Sequence, residues 1–291
     1  MYMIKRMLPR EVAYARPGTI DEAVRLLGAH DGARALAGGQ TLVSVMKQRA
    51  AAPDVLVDLA DLSELRSVSL SADASSLEIG AMVTYRELVR SPEIAAGRPV
   101  LAEAARTIAD VQVQNRGTIG GNVCVADPTN HFPPLLSALG ATFTIRNSEG
   151  VRTVDAEEFF VGVYWTAVGE GELLTHITVP LSQPGDGDAL EGITLGANGT
   201  YIVNVATSIS AGGGLRIALG CVSAVPERAR TVEEKLRGRE LTPETVTAAV
   251  QGLGKTIDPP SDVHASAAYR SALIEVCAVR SLLAASERAK G

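Results

Sequence analysis

The chain has 291 residues, of which 46% are hydrophobic and 21% are charged, and its formal net charge is -6. This is the composition of a globular protein long enough for two or three subdomains, and the acidic balance argues against nucleic acid as the main partner. No apolar run reaches the roughly 18 residues of a membrane-spanning helix, so we expect no membrane span.

The three cysteines, Cys124, Cys221 and Cys277, lie far apart in the sequence. They cannot form a disulfide framework, and their spacing fits no zinc or iron–sulfur motif. We therefore expect no metal site in this chain and a cytoplasmic location, where thiols stay reduced.

The first sixty residues predict a small β/α subdomain, because short apolar strands alternate with helices that have one apolar face. Thr19 and Glu22 form a capping-box pair that opens the first helix. In order, the patterns predict a helix at Pro17–His30, a strand at Ala33–Ala37, a helix at Leu42–Arg49 and a strand at Val55–Leu59. The first predicted subdomain is therefore residues 1–60.

Residues 61–180 form the second predicted subdomain, in which strands and helices are mixed. Thr84 and Glu87 repeat the capping-box pattern. In order, the patterns predict a strand at Leu77–Met82, a helix from Thr84 through Val89, helices at Pro99–Ala109 and Pro133–Leu139, a hairpin of Ala141–Ile145 and Val151–Thr153, and a strand at Leu173–Val179.

The polar segment Ser182–Asp188 is rich in Gly, Asp and Pro and predicts a linker. Residues 188–289 then form a predicted C-terminal domain of strands followed by helices. The patterns predict strands at Tyr201–Ser210 and Leu215–Val222, and helices at Val232–Leu236, Pro243–Leu253 and Ala267–Arg288.

Two glycine-pair segments, Ala37-Gly38-Gly39-Gln40-Thr41 and Thr118-Ile119-Gly120-Gly121-Asn122, carry the strongest functional signal. Glycine lets the main chain turn sharply, so that its N–H groups approach an anion closely. Either pair alone is equally consistent with a tight turn. Together, with hydroxyl and amide side chains beside them, they predict a pyrophosphate held between two parts of the fold. Neither is the Gly-x-Gly-x-x-Gly fingerprint, which disfavours a Rossmann domain.

These segments resemble the FAD-binding medium (flavoprotein) subunits of molybdenum hydroxylases. That family includes the medium subunits of carbon monoxide dehydrogenase and the central domain of xanthine dehydrogenase. The match continues through Met46-Lys47-Gln48-Arg49, Val55–Asp58, Ile79-Gly80-Ala81-Met82-Val83-Thr84, Asn115-Arg116-Gly117 and Ala126-Asp127-Pro128. The order and spacing of these motifs hold over nearly the whole chain.

The resemblance implies an α+β protein: a vanillyl-alcohol-oxidase (PCMH-type) FAD-binding domain of two α/β subdomains, followed by a C-terminal α+β domain with an antiparallel sheet. Leu36–Val43 and Thr118–Asn122 would hold the pyrophosphate and ribityl chain, and Tyr201 would cover the flavin ring. The implied FAD contacts are Leu36, Ala37, Gly38, Gly39, Gln40, Thr41, Leu42, Val43, Thr84, Ile108, Thr118, Ile119, Gly120, Gly121, Asn122, Asp127, His131, Leu174 and Tyr201.

Two positions depart from the family pattern. His131 stands where the family usually has an acid, and Gln114 stands where arginine is common. A histidine is able to hydrogen-bond the ribityl hydroxyls, so we keep His131 among the expected contacts.

By the resemblance, this chain is the electron-transfer subunit of a heterotrimeric oxidoreductase. A large molybdopterin-binding subunit would hydroxylate the substrate, and two [2Fe–2S] clusters in a small subunit would pass electrons to FAD here. FAD would deliver them to an external acceptor such as NAD⁺, a quinone or oxygen. The family implies a dimer of heterotrimers, with no general acid or base in this chain.

Two alternatives remain open at this point. The first is a stand-alone flavin oxidoreductase with its own substrate pocket, which the scarcity of histidines disfavours. The second is a scaffold that keeps the fold without FAD, which the intact glycine pairs disfavour.

Overall fold

A computed structural model describes residues 10–196 and 199–291. Among these residues, the strands form a three-, a five- and a four-stranded sheet and a separate hairpin. Residues 1–9 of the predicted first subdomain lie outside the described part. No helix of the described part has the length and apolar character needed to cross a membrane.

The first subdomain is a parallel sheet in the order β1-β3-β2, with helices between its strands. Its elements are β1 (Ala13–Ala15), α1 (Ile20–Ala29), β2 (Ala33–Leu36), α2 (Leu42–Lys47) and β3 (Val55–Asp58). The Thr19 hydroxyl accepts the Glu22 N–H at 3.1 Å and so begins α1 as predicted. The apolar face of α1 packs on this sheet and on Leu65 and Leu173 of the second subdomain.

The second subdomain is an antiparallel sheet in the order β4-β5-β10-β6-β7 with helices packed on it, together with the separate β8–β9 hairpin. Its strands are β4 (Val68–Leu70), β5 (Ser76–Gly80), β6 (Thr142–Arg146), β7 (Val151–Asp155), β8 (Phe160–Gly162), β9 (Trp165–Thr166) and β10 (Leu173–Pro180). Its helices are α3 (Tyr85–Arg90), α4 (Pro92–Gly97), α5 (Val100–Thr107), α6 (Val111–Arg116), α7 (Ile119–Val125), α8 (Phe132–Leu139) and α9 (Ala156–Phe159), with a 3₁₀ turn at Ser63–Arg66.

The C-terminal domain is an antiparallel sheet in the order β11-β12-β13-β14 with helices packed on one face. Its elements are β11 (Gly187–Leu195), β12 (Thr200–Ile209), β13 (Leu215–Gly220), β14 (Glu227–Arg228), α10 (Arg230–Leu236), α11 (Pro243–Val250), α12 (Leu253–Thr256) and α13 (Ala267–Ala289). Val203 and Val205 of β12 pack with Ile274 of α13. Ala206, on the opposite face of the strand, joins the core of the second subdomain, so α8 and this sheet share one interior.

The predicted linker Ser182–Asp188 is an ordered segment, because strand β11 already begins at Gly187. The buried guanidinium of Arg98 donates to Asp188 Oδ1 at 2.9 Å and lies 3.5 Å from Asp186 Oδ2. The acidic residues that suggested a solvated linker therefore pair with an arginine of the second subdomain.

Candidate cofactor site

A cavity of about 620 Å³ lies between the first and second subdomains. One wall follows β2, from residues 28–33 at its start to the turn at residues 37–42 after its end, and the opposite wall includes α7 and residues 164–174. A strand of this length spans about 13 Å, so the cavity suits an elongated ligand.

The first glycine segment offers a row of main-chain donors. Among the residues that the structure describes, the N–H groups of Gly38, Gly39, Gln40, Thr41 and Leu42 have no hydrogen-bond acceptor. All five residues line the cavity. Adjacent unpaired N–H groups are a site for an anion, so this turn is where a phosphate would bind.

The two glycines of this turn are needed for different reasons. A Cβ on Gly38 would lie 1.9 Å from the carbonyl oxygen of Arg116, so only glycine allows the turn to touch the second subdomain there. Gly39 has φ +71°, a left-handed conformation that side chains disfavour. Gly38 therefore allows the two walls to touch, and Gly39 allows the sharp bend of the chain at the N–H donors.

The second glycine segment differs, because its N–H groups already have acceptors in the protein. Ile119 donates to Val83 and Gly120 donates to Ala81, each at 3.0 Å, and Gly121 donates to the Thr118 hydroxyl at 3.0 Å. A Cβ on Gly120 would lie 2.5 Å from Ala81. This segment therefore contributes a closely packed wall rather than a row of free donors.

Asn122 supplies the polar group of that wall. Its Nδ2 donates to the Tyr85 hydroxyl at 3.0 Å, while its buried Oδ1 has no partner among the described residues. Burial raises the pKa of Tyr85 to about 12, so the phenol stays neutral. A ligand hydroxyl or N–H would satisfy the Asn122 oxygen, since an unpaired buried acceptor is costly.

The structure brings most of the predicted contacts of the two glycine segments to this one cavity. The predicted residues that line it are Ala37, Gly38, Gly39, Gln40, Thr41, Leu42, Thr118, Gly120, Gly121, Asn122 and Leu174. Those that lie outside its lining are Leu36, Val43, Thr84, Ile108, Ile119, Asp127, His131 and Tyr201.

Several of the residues outside the lining stabilise the fold around the cavity. The Thr84 hydroxyl accepts the Glu87 N–H and begins α3, and Ile119 is fully buried. Asp127 lies one residue away from the cavity, because its Oδ2 accepts a hydrogen bond at 3.2 Å from Tyr164, which lines it. Its Oδ1 accepts the N–H of Thr129, which fixes the loop before α8.

His131 and Tyr201 form a buried aromatic pair, with ring centroids 4.4 Å apart. Burial lowers the pKa of His131 to about 4, so the imidazole is neutral near pH 7, and its Nε2 has no partner among the described residues. Within the described part of the chain, no residue of the C-terminal domain lines the cavity. The structure thus places Tyr201 against His131, in the contact between the two halves of the molecule.

Gln114, the other departure, also has a defined role. Its Nε2 donates to the carbonyls of Arg106 at 3.1 Å and Ile108 at 3.0 Å. These carbonyls end α5, so the amide supplies the capping donors that the helix end needs.

Sequence reasoning missed the far end of the cavity, at residues 27–35 and 164–173. The two segments meet where Gly171 packs on Gly28, a contact between positions far apart in the chain. Asp31 and Glu170 line this end, and Glu172 there pairs with Arg152 at 2.6 Å. Arg34 also lines this end, so its charge is mixed, and it is the row of N–H donors that makes the glycine turn the phosphate-binding part of the cavity.

Comparison with family models identifies two matching regions. Residues 10–182 match the FAD binding domain in molybdopterin dehydrogenase, and residues 198–285 match the CO dehydrogenase flavoprotein C-terminal domain.

Comparison with characterised proteins gives matches over almost the full length. The chain is 34% identical over 278 residues to the glyceraldehyde dehydrogenase medium chain of Sulfolobus acidocaldarius, covering 94% of this chain and 98% of that protein. It is 36% identical over 287 residues to the carbon monoxide dehydrogenase medium chain of Hydrogenophaga pseudoflava, covering 97% and 99%.

Solved structures agree with this result. Carbon monoxide dehydrogenase from Hydrogenophaga pseudoflava superimposes with a TM-score of 0.92 at 37% identity, covering 97% of this chain and 99% of that one. Quinoline 2-oxidoreductase from Pseudomonas putida 86 superimposes with a TM-score of 0.91 at 32% identity, covering 98% and 100%.

Proposed function

The chain belongs to the family of FAD-binding medium subunits of molybdopterin dehydrogenases, and we propose that it passes electrons from a partner's iron–sulfur clusters, through FAD, to an external acceptor. The observation that carries the proposal is the row of N–H groups at residues 38–42, beside the cavity, that have no acceptor among the described residues. Such a turn binds the pyrophosphate of a dinucleotide without needing a lysine or arginine.

The residues present fit FAD on three counts. The five N–H donors are able to hydrogen-bond the charged oxygens of a pyrophosphate. The contact of Gly38 with Arg116 leaves no room for a side chain at position 38. The buried Oδ1 of Asn122 lacks a donor that a ribityl hydroxyl or a ring N–H would provide. The cavity runs along β2 and continues to the glycine turn, so it is elongated, as a dinucleotide is.

We assign roles to this chain's residues on that basis. Residues 38–42 bind the pyrophosphate, Asn122 orients a hydroxyl or N–H of the cofactor, and Leu174 provides an apolar contact. Tyr85 holds the Asn122 amide in place and stays protonated. When bound, FAD would supply the exchange of electrons singly and in pairs, while the protein excludes water and fixes the orientation.

The sequence positions outside the cavity lining remain proposed contacts. Asp127 and His131 belong to a loop that adjoins the cavity through Asn130, and Tyr201 packs on His131. Ile108 directly follows Thr107, whose carbonyl lies against Gly199 near the start of β12. We propose that these groups would contact the flavin of a bound FAD. We place the domain boundaries at residues 1–60, 61–180 and 188–289, as the sequence suggested.

We further propose a hetero-oligomer with a large molybdopterin-binding subunit and a small [2Fe–2S] subunit, assembled as a dimer of heterotrimers. The names of the relatives support this, since they are medium chains of dehydrogenases such as carbon monoxide dehydrogenase. The three cysteines are free, which agrees with a cytoplasmic location.

Purification of the native complex and of the chain alone tests the proposal. We expect FAD to be extracted from the complex, together with molybdenum and iron from the partner subunits. The chain alone should bind FAD and show no substrate turnover. A native complex without flavin would refute the proposal, and substrate turnover by the isolated chain would support the stand-alone oxidoreductase instead.

A further inference from the structure

A buried arginine in the C-terminal domain, Arg270, joins three segments that are distant in sequence. Its Nη1 donates to the carbonyl of Cys221 at 3.1 Å and to the carbonyl of Ile202. Its Nη2 donates to Asp262 Oδ2 at 2.5 Å. The side chain is 5% exposed, so the guanidinium works in an environment where its hydrogen bonds are strong.

One of the partners of Arg270 lies in a turn with an unfavourable conformation. Cys221 has φ +66°, although it is not a glycine, and it directly follows the last residue of β13. Left-handed backbone at a residue with a side chain persists only when its surroundings hold it. The hydrogen bond from Arg270 to the Cys221 carbonyl is one such restraint.

In this conformation the Cys221 turn contacts the second subdomain. The N–H of Cys221 donates to the carbonyl of Pro128 at 3.0 Å. Pro128 belongs to the loop of residues 126–131, between α7 and α8. The arginine is therefore connected, through a single residue, to the FAD-binding half of the chain.

The loop of residues 126–131 in turn supports the cavity wall. Asn130 Nδ2 donates to the carbonyl of Asn122 at 3.0 Å, and Asp127 accepts a hydrogen bond from Tyr164. Asn122, Asn130 and Tyr164 all line the cavity. A shift of this loop would move the buried Asn122 carboxamide and the aromatic residue at the cavity rim.

We propose that Arg270 is a positioning residue for the FAD site: it holds the Cys221 turn in its left-handed conformation, and that turn fixes the loop of residues 126–131 against the cavity. This inference rests on the proposed function. It assigns to the C-terminal domain a part in cofactor binding even though, within the described residues, that domain contributes nothing to the cavity lining.

The experiment compares the full-length chain with Arg270→Met, which keeps the side-chain volume and removes the donors. Arg280→Met is the matched control, because Arg280 lies on the same helix and is exposed. A double variant, Arg270→Met with Cys221→Gly, tests the route, since glycine adopts the left-handed turn without restraint. We measure FAD dissociation constants, and hydrogen exchange of residues 126–131 in the absence of FAD.

We expect Arg270→Met to raise the FAD dissociation constant about tenfold and to speed exchange in residues 126–131, with Arg280→Met close to wild type. The double variant should recover most of the lost affinity. Unchanged affinity in Arg270→Met, or a double variant no better than the single one, would overturn the inference. If wild-type chain binds no FAD, the proposed function fails, while the exchange rates still decide whether Arg270 orders the loop.

Discussion

Individual glycines of the first segment carry distinct physical constraints, which gives mutations there distinct outcomes. Gly38 has an ordinary backbone conformation, but its hydrogen faces the main chain of Arg116. Because that neighbour is backbone, it cannot swing away as a side chain would. A methyl group at Gly38 must therefore push the two subdomains apart along the cavity.

We predict that Gly38→Ala lowers the free energy of unfolding by about 2 kcal/mol and weakens FAD binding about tenfold. Gly150→Ala is the control, since a Cβ there meets nothing within 4 Å. Denaturant unfolding and FAD titration of both variants measure the two effects. An alanine at Gly38 that binds FAD as tightly as wild type would contradict the assigned contact between the walls.

His131 makes stability depend on pH in a defined direction. Burial lowers its pKa from 6.5 to about 4 in the folded chain. The unfolded chain therefore binds a proton more readily, and the folded state loses stability as pH falls from 6.5 toward 4. The imidazole is neutral and favourable to folding above pH 6.5, and protonation costs roughly 3 kcal/mol by pH 4.

We predict that His131→Gln flattens this part of the stability profile, because glutamine does not titrate. The measurement is the free energy of unfolding of both proteins at a series of pH values from about 4 to 7. The difference between them should be largest at the acid end and in favour of the variant. Parallel profiles would show that the ring is not protonated on unfolding.

At the scale of a helix, the start of α7 is held by one side chain. The Thr118 hydroxyl accepts the N–H of Gly121 at 3.0 Å and lies at the cavity wall. The Thr242 hydroxyl begins α11 in the same way, accepting the N–H of Thr245, in the C-terminal domain. The two caps are chemically alike but differ in their distance from the cofactor site.

We predict that Thr118→Val and Thr242→Val each cost about 1 kcal/mol of stability, since each removes a capping oxygen while keeping the branched shape. Only Thr118→Val should also weaken FAD binding, because the frayed first turn of α7 forms the wall at Asn122. Thermal unfolding and FAD titration separate the two effects. Equal FAD affinity in both variants would remove Thr118 from the site.

Local signals explain which elements the sequence predicts well. The capping residues Thr19 and Thr84 predict where α1 and α3 begin. The two glycine pairs predict the turn on one side of the cavity and the wall on the other. Strand β11 was not predicted, and its first two residues, Gly187 and Asp188, fell within the predicted linker; their partners, on β12 and at Arg98, are distant in sequence. The far end of the cavity was missed for the same reason: only folding brings Gly171 onto Gly28.

The FAD-binding half and the C-terminal domain share a hydrophobic core, and ionic contacts also join them. Arg98 pairs with Asp188 and donates to Ser208 at 3.0 Å in the buried contact. Glu157 pairs with Arg228 at 2.5 Å, and other pairs lie at the surface. Breaking the buried pair would cost the most stability, because exposed pairs are screened by solvent and contribute little.

We predict that Arg98→Met lowers the free energy of unfolding by about 3–5 kcal/mol near pH 8, because Asp188 is left as a buried charge without its cation. Burial already raises the pKa of Asp188, against the opposing effect of Arg98. Loss of the guanidinium raises that pKa further, so protonation of Asp188 at about pH 5 should recover part of the stability.

The exposed pair of Arg146 with Asp21 supplies the control, Arg146→Met, for which we expect a loss below about 1 kcal/mol. Denaturant unfolding at both pH values measures these differences, and the double variant Arg98→Met with Asp188→Asn should be more stable near pH 8 than Arg98→Met alone. A double variant no more stable than the single one would show that the unpaired Asp188 carboxylate does not account for the destabilisation.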